Sequence, residues 1–171
     1  MGKGLLTIGY EGGTLADFLE TLRRAKVETV IDIRDVPISR KTGFSKVALA
    51  RALEAQGIAY LHLKALGDPK DGRDAARSGD FELFKQIYHA HLAKSEAKLE
   101  LTEAVGVAKK NRACLLCYER DPKMCHRSMV AKAMTTLAEF DIIHLGVREG
   151  SAKQLHVAAK HDGRKLVRKV G

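Results

Sequence analysis

Apolar residues recur along the chain in two alternating rhythms. Short Leu-, Ile- and Val-rich runs, LLTIGY (5–10), ETVIDI (28–33), IAYLHL (58–63) and ACLLCY (113–118), read as strands, and IIHLG (142–146) as a short further one. Between them the apolar positions switch to helical spacing. Leu15, Phe18, Leu19 and Leu22 form one stripe, and Thr14 with Asp17 three residues on makes a capping-box start for a helix running to about Lys26. VALARALEAQ (47–56) predicts a second helix, stopped by Gly57. Further helices are predicted at roughly 81–94, 95–110 and Lys123 to Phe140, the last opened by Asp121 and Pro122. The intervening GDPKDGRDAARSGD (67–80) is polar and rich in turn formers, and predicts a lid-like loop over 70–80. Strands that alternate with helices imply a single α/β domain, because parallel neighbours need helical crossovers. The predicted sheet is mostly parallel, of about five strands flanked by helices, over residues 1–146, with 147–171 as a C-terminal tail.

That architecture makes a functional prediction, since open parallel sheets bind ligands beyond the carboxyl ends of their strands. The chemically distinctive segments fall there: GYEGG, DIRDVPISR, HLKALGD and CYERDPKMCHR. Asp32 and Arg34 share a face by the two-residue period, as a held ion pair or as an arginine presented to an anion. Ser39, Arg40 and Lys41 supply further donors for an anion, and Gly43 lets their loop turn. Tyr10 and Glu11 close the first strand, and His62 stands near the end of the third, as a core group or a catalyst. No phosphate-loop signature is present.

The densest cluster is LLCYERDPKMCHR (115–127). Strand alternation sends Cys114 and Cys117 to opposite sides, so they do not chelate one ion as a C-x-x-C pair. Cys114 reads as core, whereas Cys117 can pack or reach the rim. Cys125 and His126 open the following helix, where a thiol gains thiolate character. Successive helical residues diverge by about 100°, and the reading adopted puts His126 and Arg127 toward the site with Cys125 inward. Glu119 is the local carboxylate best placed for general acid or base work, or for an ion pair with Arg120 or Arg127.

Charge sharpens this reading. The formal net charge is +9, which favours polyanions. Seven Lys/Arg oppose two Asp/Glu over residues 147–171, so this tail carries +5, either as a solvated solubility aid or as a nucleic-acid contact. No apolar run reaches the length of a membrane span, and the start MGKGLLTIGYEGG has no long apolar signal region. The three cysteines cannot all pair within one chain, so a disulfide scaffold is not expected and a cytoplasmic location is.

The segments TIGYEG (7–12), DIRDVPISRKTGFSK (32–46), GIAYLHLKALGDP (57–69) and LLCYERDPKMCHRSMVA (115–131) together resemble the bacterial and archaeal family catalogued as domain of unknown function 488. The resemblance implies an α/β fold and a site formed by Tyr10, Glu11, Asp32, Arg34, Pro37, Ser39, His62, Gly67, Cys117, Glu119, Cys125, His126 and Arg127. It implies no reaction, and it does not extend to the tail. Position 68 is Asp where Asn or Gly is as readily expected, and its charge counts against tight phosphate binding by that loop.

Three functional expectations follow. The first is an enzyme, a hydrolase or transferase, acting on a nucleotide, nucleic acid or other phosphorylated substrate. In it Glu119 or Glu11 is acid or base, His62 or His126 assists proton transfer, Cys117 is a further catalytic candidate, and Arg34 and Arg127 hold the anion. Two carboxylates near a basic rim also suit glycosidic-bond chemistry. The second is a nucleic-acid-binding module that uses the tail, although only 5% aromatic residues and no Trp argue against a stacking platform. The third is thiol or metal chemistry, either rhodanese-like or with zinc held by Cys117, Cys125 and a histidine.

Overall fold

The computed structural model describes residues 2–153. Its centre is a five-stranded sheet built from β1 (Lys3–Gly9), β2 (Thr29–Asp32), β3 (Ala59–His62), β4 (Ala113–Cys117) and β5 (Phe140–Leu145). The strands lie in the order β3-β2-β4-β1-β5, and every pairing is parallel. Six α-helices among the described residues cover it: α1 (Leu15–Arg24), α2 (Lys46–Glu54), α3 (Lys70–Arg77), α4 (Phe81–Leu92), α5 (Ser95–Lys110) and α6 (His126–Leu137). The described residues therefore form one α/β domain.

Alternation along the strands divides the core into two layers. Leu6, Ile8, Val30, Cys114 and Leu116 face Phe18 and Leu22 of α1 and Leu49 and Leu53 of α2. Their neighbours Leu5, Ile31 and Leu115 face the other way, onto Tyr88 of α4, Ala104 of α5, and Val130 and Met134 of α6. Central strands buried on both faces read as continuous apolar runs, and this is why 113–117 has no polar position. Burying each large side chain contributes about 1.5–3 kcal/mol.

Thr14 caps α1: its Oγ1 accepts from the Asp17 N–H at 3.1 Å, and its hydroxyl, in place of the backbone N–H of a full capping box, donates to the Asp17 carboxylate at 3.0 Å. The same carboxylate accepts the Gly150 and Ala152 N–H groups at 3.0 and 2.9 Å. The first residues of the predicted tail thus return to α1, with Val147 buried; residues 154–171, and with them most of its basic charge, lie outside the described residues. Among the described residues no helix is long and apolar enough to cross a membrane.

Two element predictions need correction. Residues 70–80 are not a loop: Lys70–Arg77 form α3, with Pro69 at its N-cap and a Lys70–Asp74 pair one turn apart. The polar composition reflects a solvent-facing helix whose Gly72 and Ala75 alone are buried. The predicted Lys123 to Phe140 helix divides into a 3₁₀ turn over Pro122–Met124 and then α6, and Phe140 instead opens β5. Asp121 caps the 3₁₀ turn, while the N-cap of α6 is Cys125.

Candidate functional site

The strand order creates a crevice. The connection from β1 leads to α1 on one face, whereas β4 leads to α6 on the other, and β1 and β4 are neighbours with Gly9 level with Cys117. Their carboxyl ends therefore diverge, which is the geometry of a topological switch point. A cleft of about 670 Å³ opens here, walled by the 34–41 segment, the first turns of α3, and residues 117–126. A second cleft of about 470 Å³ adjoins it beside Glu11 and Phe81 and shares Asp68, Glu119 and His126.

One wall is organised by a buried ion pair. Arg34 donates through Nε and Nη2 to the two Asp32 oxygens at 2.9 and 2.6 Å, and through Nη1 to Tyr10 Oη and the Phe44 carbonyl at 3.0 and 2.7 Å. Tyr60 Oη adds a 2.6 Å bond to Asp32. Burial opposes the charge on Arg34, but the Asp32 carboxylate outweighs it and holds the guanidinium above its ordinary range. The Tyr10 ring stacks on Phe44 at 4.3 Å, fixing the phenol that Arg34 meets. Of the two readings offered by the sequence, the geometry is that of the held pair.

The opposite wall is built around a second buried arginine. Arg127 is fully buried and donates to Thr7 Oγ1 at 3.1 Å, to Cys117 Sγ at 3.4 Å, and to the carbonyls of Glu119 and of Arg120. It holds the 117–120 turn in place rather than facing the cleft. A Cβ at Gly9 would lie 1.8 Å from the Glu119 carbonyl oxygen and 2.9 Å from Arg127 Nη1, so only glycine lets β1 end against this turn.

Between these walls, Cys117 and Cys125 meet as a disulfide across a separation of eight residues, Cα atoms 7.6 Å apart. The pairing corrects one expectation, since Cys125 turns toward the rim and not inward; a single disulfide is not the scaffold that the three cysteines were read as unable to form. Parity explains it. Cys117 has the same strand parity as Leu115, so both point to the α6 face, and Cys125 begins α6. Cys114, of opposite parity, is the buried free thiol, and burial pushes its pKa up.

Around the sulfurs, Glu119 Oε2 lies 3.0 Å from Cys117 Sγ, and His126 Nδ1 lies 3.8 Å from Cys125 Sγ. His126 Nε2 donates to the Ile33 carbonyl at 2.8 Å, which leaves Nδ1 as the lone-pair nitrogen. Burial holds His126 down at about 4, so it is neutral near pH 7. Burial also raises the Glu119 carboxyl above its ordinary range. Ligand atoms of Cys117, Glu119, Cys125 and His126 all fall within 4.8 Å of one another.

A residue that the sequence reading had treated only as an obstacle completes the site. Asp68 is buried on the cleft wall, and its Oδ1 has no hydrogen-bond partner among the described residues. Gly72 of α3 makes room for it, since a Cβ there would come within 2.1 Å of that oxygen. Burial raises Asp68 to about 7 against the pull of Arg73, with Glu119 and Asp35 pushing the same way as burial. Arg73 bonds Asp35 at 2.8 Å and the Asp68 carbonyl. Arg40, Lys41 and Arg77 line the same cleft, and neither Arg40 nor Lys41 makes an ion pair among the described residues.

The cleft thus brings together Tyr10, Arg34, Ser39, Arg40, Cys117, Glu119 and His126 of the candidates read from sequence. Ser39 Oγ accepts the Lys41 N–H at 3.1 Å, shaping its loop. Glu11 accepts the Arg120 N–H at 2.9 Å beside the second cleft. Besides Arg127, which is turned away from the cleft, and Pro37 on the flank of the 34–41 segment, three further candidates line neither cleft. His62 donates through Nε2 to the Arg34 carbonyl at 2.8 Å; Gly67 packs so closely on Asp35 that a Cβ would meet its backbone N at 2.3 Å; Asp32 is sealed under Arg34. Asp68, Arg73, Arg77 and Tyr118 were missed. The signal for Arg73 and Arg77 was the four-residue helical spacing hidden inside 70–77, which turns one face of that segment to the cleft.

The fold and the cleft define a parallel α/β protein with a polar, sulfur-bearing cleft at its topological switch point. The chain belongs to the family described as Domain of unknown function DUF488, whose model matches residues 14–134. No curated protein and no solved structure matches the chain.

Proposed function

We propose that the protein is an enzyme, a hydrolase or transferase, that binds a phosphorylated or nucleotide-like anion in the larger cleft and uses Asp68 as its acid–base group. The observation that carries this reading is the combination, among the described residues, of a buried carboxyl oxygen without a partner and of Arg40 and Lys41 without ion pairs at the same cleft. A buried polar atom left unsatisfied costs about 1–3 kcal/mol, so its retention on a cleft wall fits a group that meets its partner in the substrate. Arg40 and Lys41 on one lip and Arg77 on the other supply the charge for an anion. Exposed Tyr118 and Ile38 offer apolar surface for a ring, as ligand sites commonly do. In this reading Arg34 and Arg127 do not hold the anion; they fix the walls. Glu119 faces the sulfurs and leaves proton transfer to Asp68.

The test is a panel of nucleoside phosphates and phosphorylated small molecules, assayed for turnover and for binding with the full-length protein. Asp68→Asn is expected to lower turnover at least ~100-fold with binding retained. Arg40→Ala with Lys41→Ala is expected to raise KM with kcat little changed. Wild-type turnover in Asp68→Asn would refute its role, and failure of every phosphorylated ligand to bind would refute the substrate class.

A further inference from the structure

We propose that, once the Cys117–Cys125 pair is reduced, Cys117, Glu119, Cys125 and His126 form a binding site for a single thiophilic divalent cation of the zinc class. Two sulfurs, one imidazole nitrogen and one carboxylate oxygen lie within 4.8 Å of one another. Metal–ligand bonds of about 2.0–2.3 Å place tetrahedral ligands roughly 3.3–3.8 Å apart, a spacing this cluster reaches with small side-chain motions. The donor set is one that zinc accepts, and the sulfurs disfavour magnesium and calcium.

The groups behind these four side chains carry the argument further. His126 Nε2 is held by the Ile33 carbonyl at 2.8 Å, so its Nδ1 keeps its lone pair and is aimed at the sulfurs. A backbone carbonyl on the remote nitrogen is the usual support for a metal-binding imidazole. Each sulfur also has a donor of its own: Cys117 receives Arg127 Nη1 at 3.4 Å, and Cys125, the N-cap of α6, receives the Arg127 backbone N–H at 3.5 Å. Such donors favour thiolate, which is the form that binds metal. The charges balance, since two thiolates and one carboxylate are offset by a divalent ion and the buried Arg127 guanidinium. The Cα separation of 7.6 Å exceeds the roughly 4.4–6.8 Å typical of a disulfide, and a bridging ion spans it readily.

Disulfide and metal exclude one another. A phosphine reductant supplies two electrons, the S–S bond breaks, water provides the oxygen of the phosphine oxide and the two protons, and two thiols result. Binding the cation then releases both thiol protons. Nothing in this step involves Asp68, so the site stands or falls separately from the acid–base reading.

The experiment is a titration of full-length protein, stripped with chelator and reduced with a phosphine, with inorganic Co²⁺ under anaerobic conditions. Sulfur-to-cobalt charge-transfer bands and tetrahedral ligand-field bands should grow to one equivalent and be displaced by Zn²⁺. Cys117→Ser and His126→Asn should each weaken binding at least tenfold, and Cys114→Ala should not. Because His126 is buried, Glu119→Gln, which alters a half-buried side chain, provides a second arm; it should weaken binding about tenfold with the thermal unfolding midpoint unchanged. The disulfide form should show no such bands. Absence of charge-transfer bands in reduced wild type, unchanged affinity in Cys117→Ser or Glu119→Gln, or equal binding by the disulfide form would overturn the proposal.

Discussion

Asp68 shows how one residue changes meaning once its surroundings are known. Its carboxyl titrates at about 7 because burial disfavours the anion more than Arg73 favours it. A raised value in the folded state means that the group's contribution to stability is complete below about 3.8 and is lost as pH rises through about 7. Asp68→Asn, which cannot ionise, is therefore expected to match wild type at pH 4 and to exceed it at pH 8. The gain should be about 2 kcal/mol by urea denaturation, less than the full shift converts to, because cleft water screens the charge. A variant less stable than wild type at pH 8 would contradict this account. Arg127 makes the opposite case, since burial pushes its pKa down and yet every neighbour in reach is an acceptor. Arg127→Met leaves the Thr7 hydroxyl and two carbonyls without their donor, and should destabilise by about 3 kcal/mol in the same measurement.

Among the elements, the local signals that worked were those the backbone itself enforces. The Thr14 cap was legible because its two bonds join residues three apart. Thr14→Ala should cost about 1 kcal/mol. Asp17→Ala should cost roughly twice that, because the same carboxylate also anchors Gly150 and Ala152; equal losses in a thermal melt would show that this second contact contributes nothing. The end of β1 depends on a more distant neighbour. Gly9→Ala would drive a methyl into the Glu119 carbonyl and should destabilise by at least ~2 kcal/mol, with distortion of the 117–120 turn visible as changed Cys117 reactivity. The α3 segment was misread for the converse reason: an exposed helix carries few apolar positions, so its periodicity is written in charged residues that also occur in loops.

At the scale of the whole molecule, a net charge of +9 and a cleft lined by Arg40, Lys41, Arg73 and Arg77 set up a field that draws anions toward the switch point. A nucleoside phosphate that binds there should lose affinity severalfold between roughly 0.01 and 0.15 M salt, as the screening length shrinks. A salt-independent affinity would place the ligand elsewhere or make its binding chiefly apolar. The strand order is what focuses this field on one place. β4 is inserted between β1 and β2, so residues about a hundred positions apart, Tyr10 and Tyr118, meet edge-on at 5.3 Å across one crevice.

The sequence alone determined the α/β class, the parallel sheet and the rim, because these rest on periodicities of two and 3.6 residues and on turn chemistry that acts over a few positions. It also placed Cys114 in the core and set Asp32 and Arg34 on one face, both of which follow from strand parity. Tertiary structure alone decided which rim residues meet. Arg34 and Arg127, read as ligands for an anion, are bound by acceptors that the strand order brings beneath them. Cys125 reaches Cys117 because α6 packs on the face to which Cys117 points. Asp68 became a site residue only when α3 closed over it. Each of these depends on desolvation and on long-range contact, and neither quantity is written in the spacing of residues along the chain.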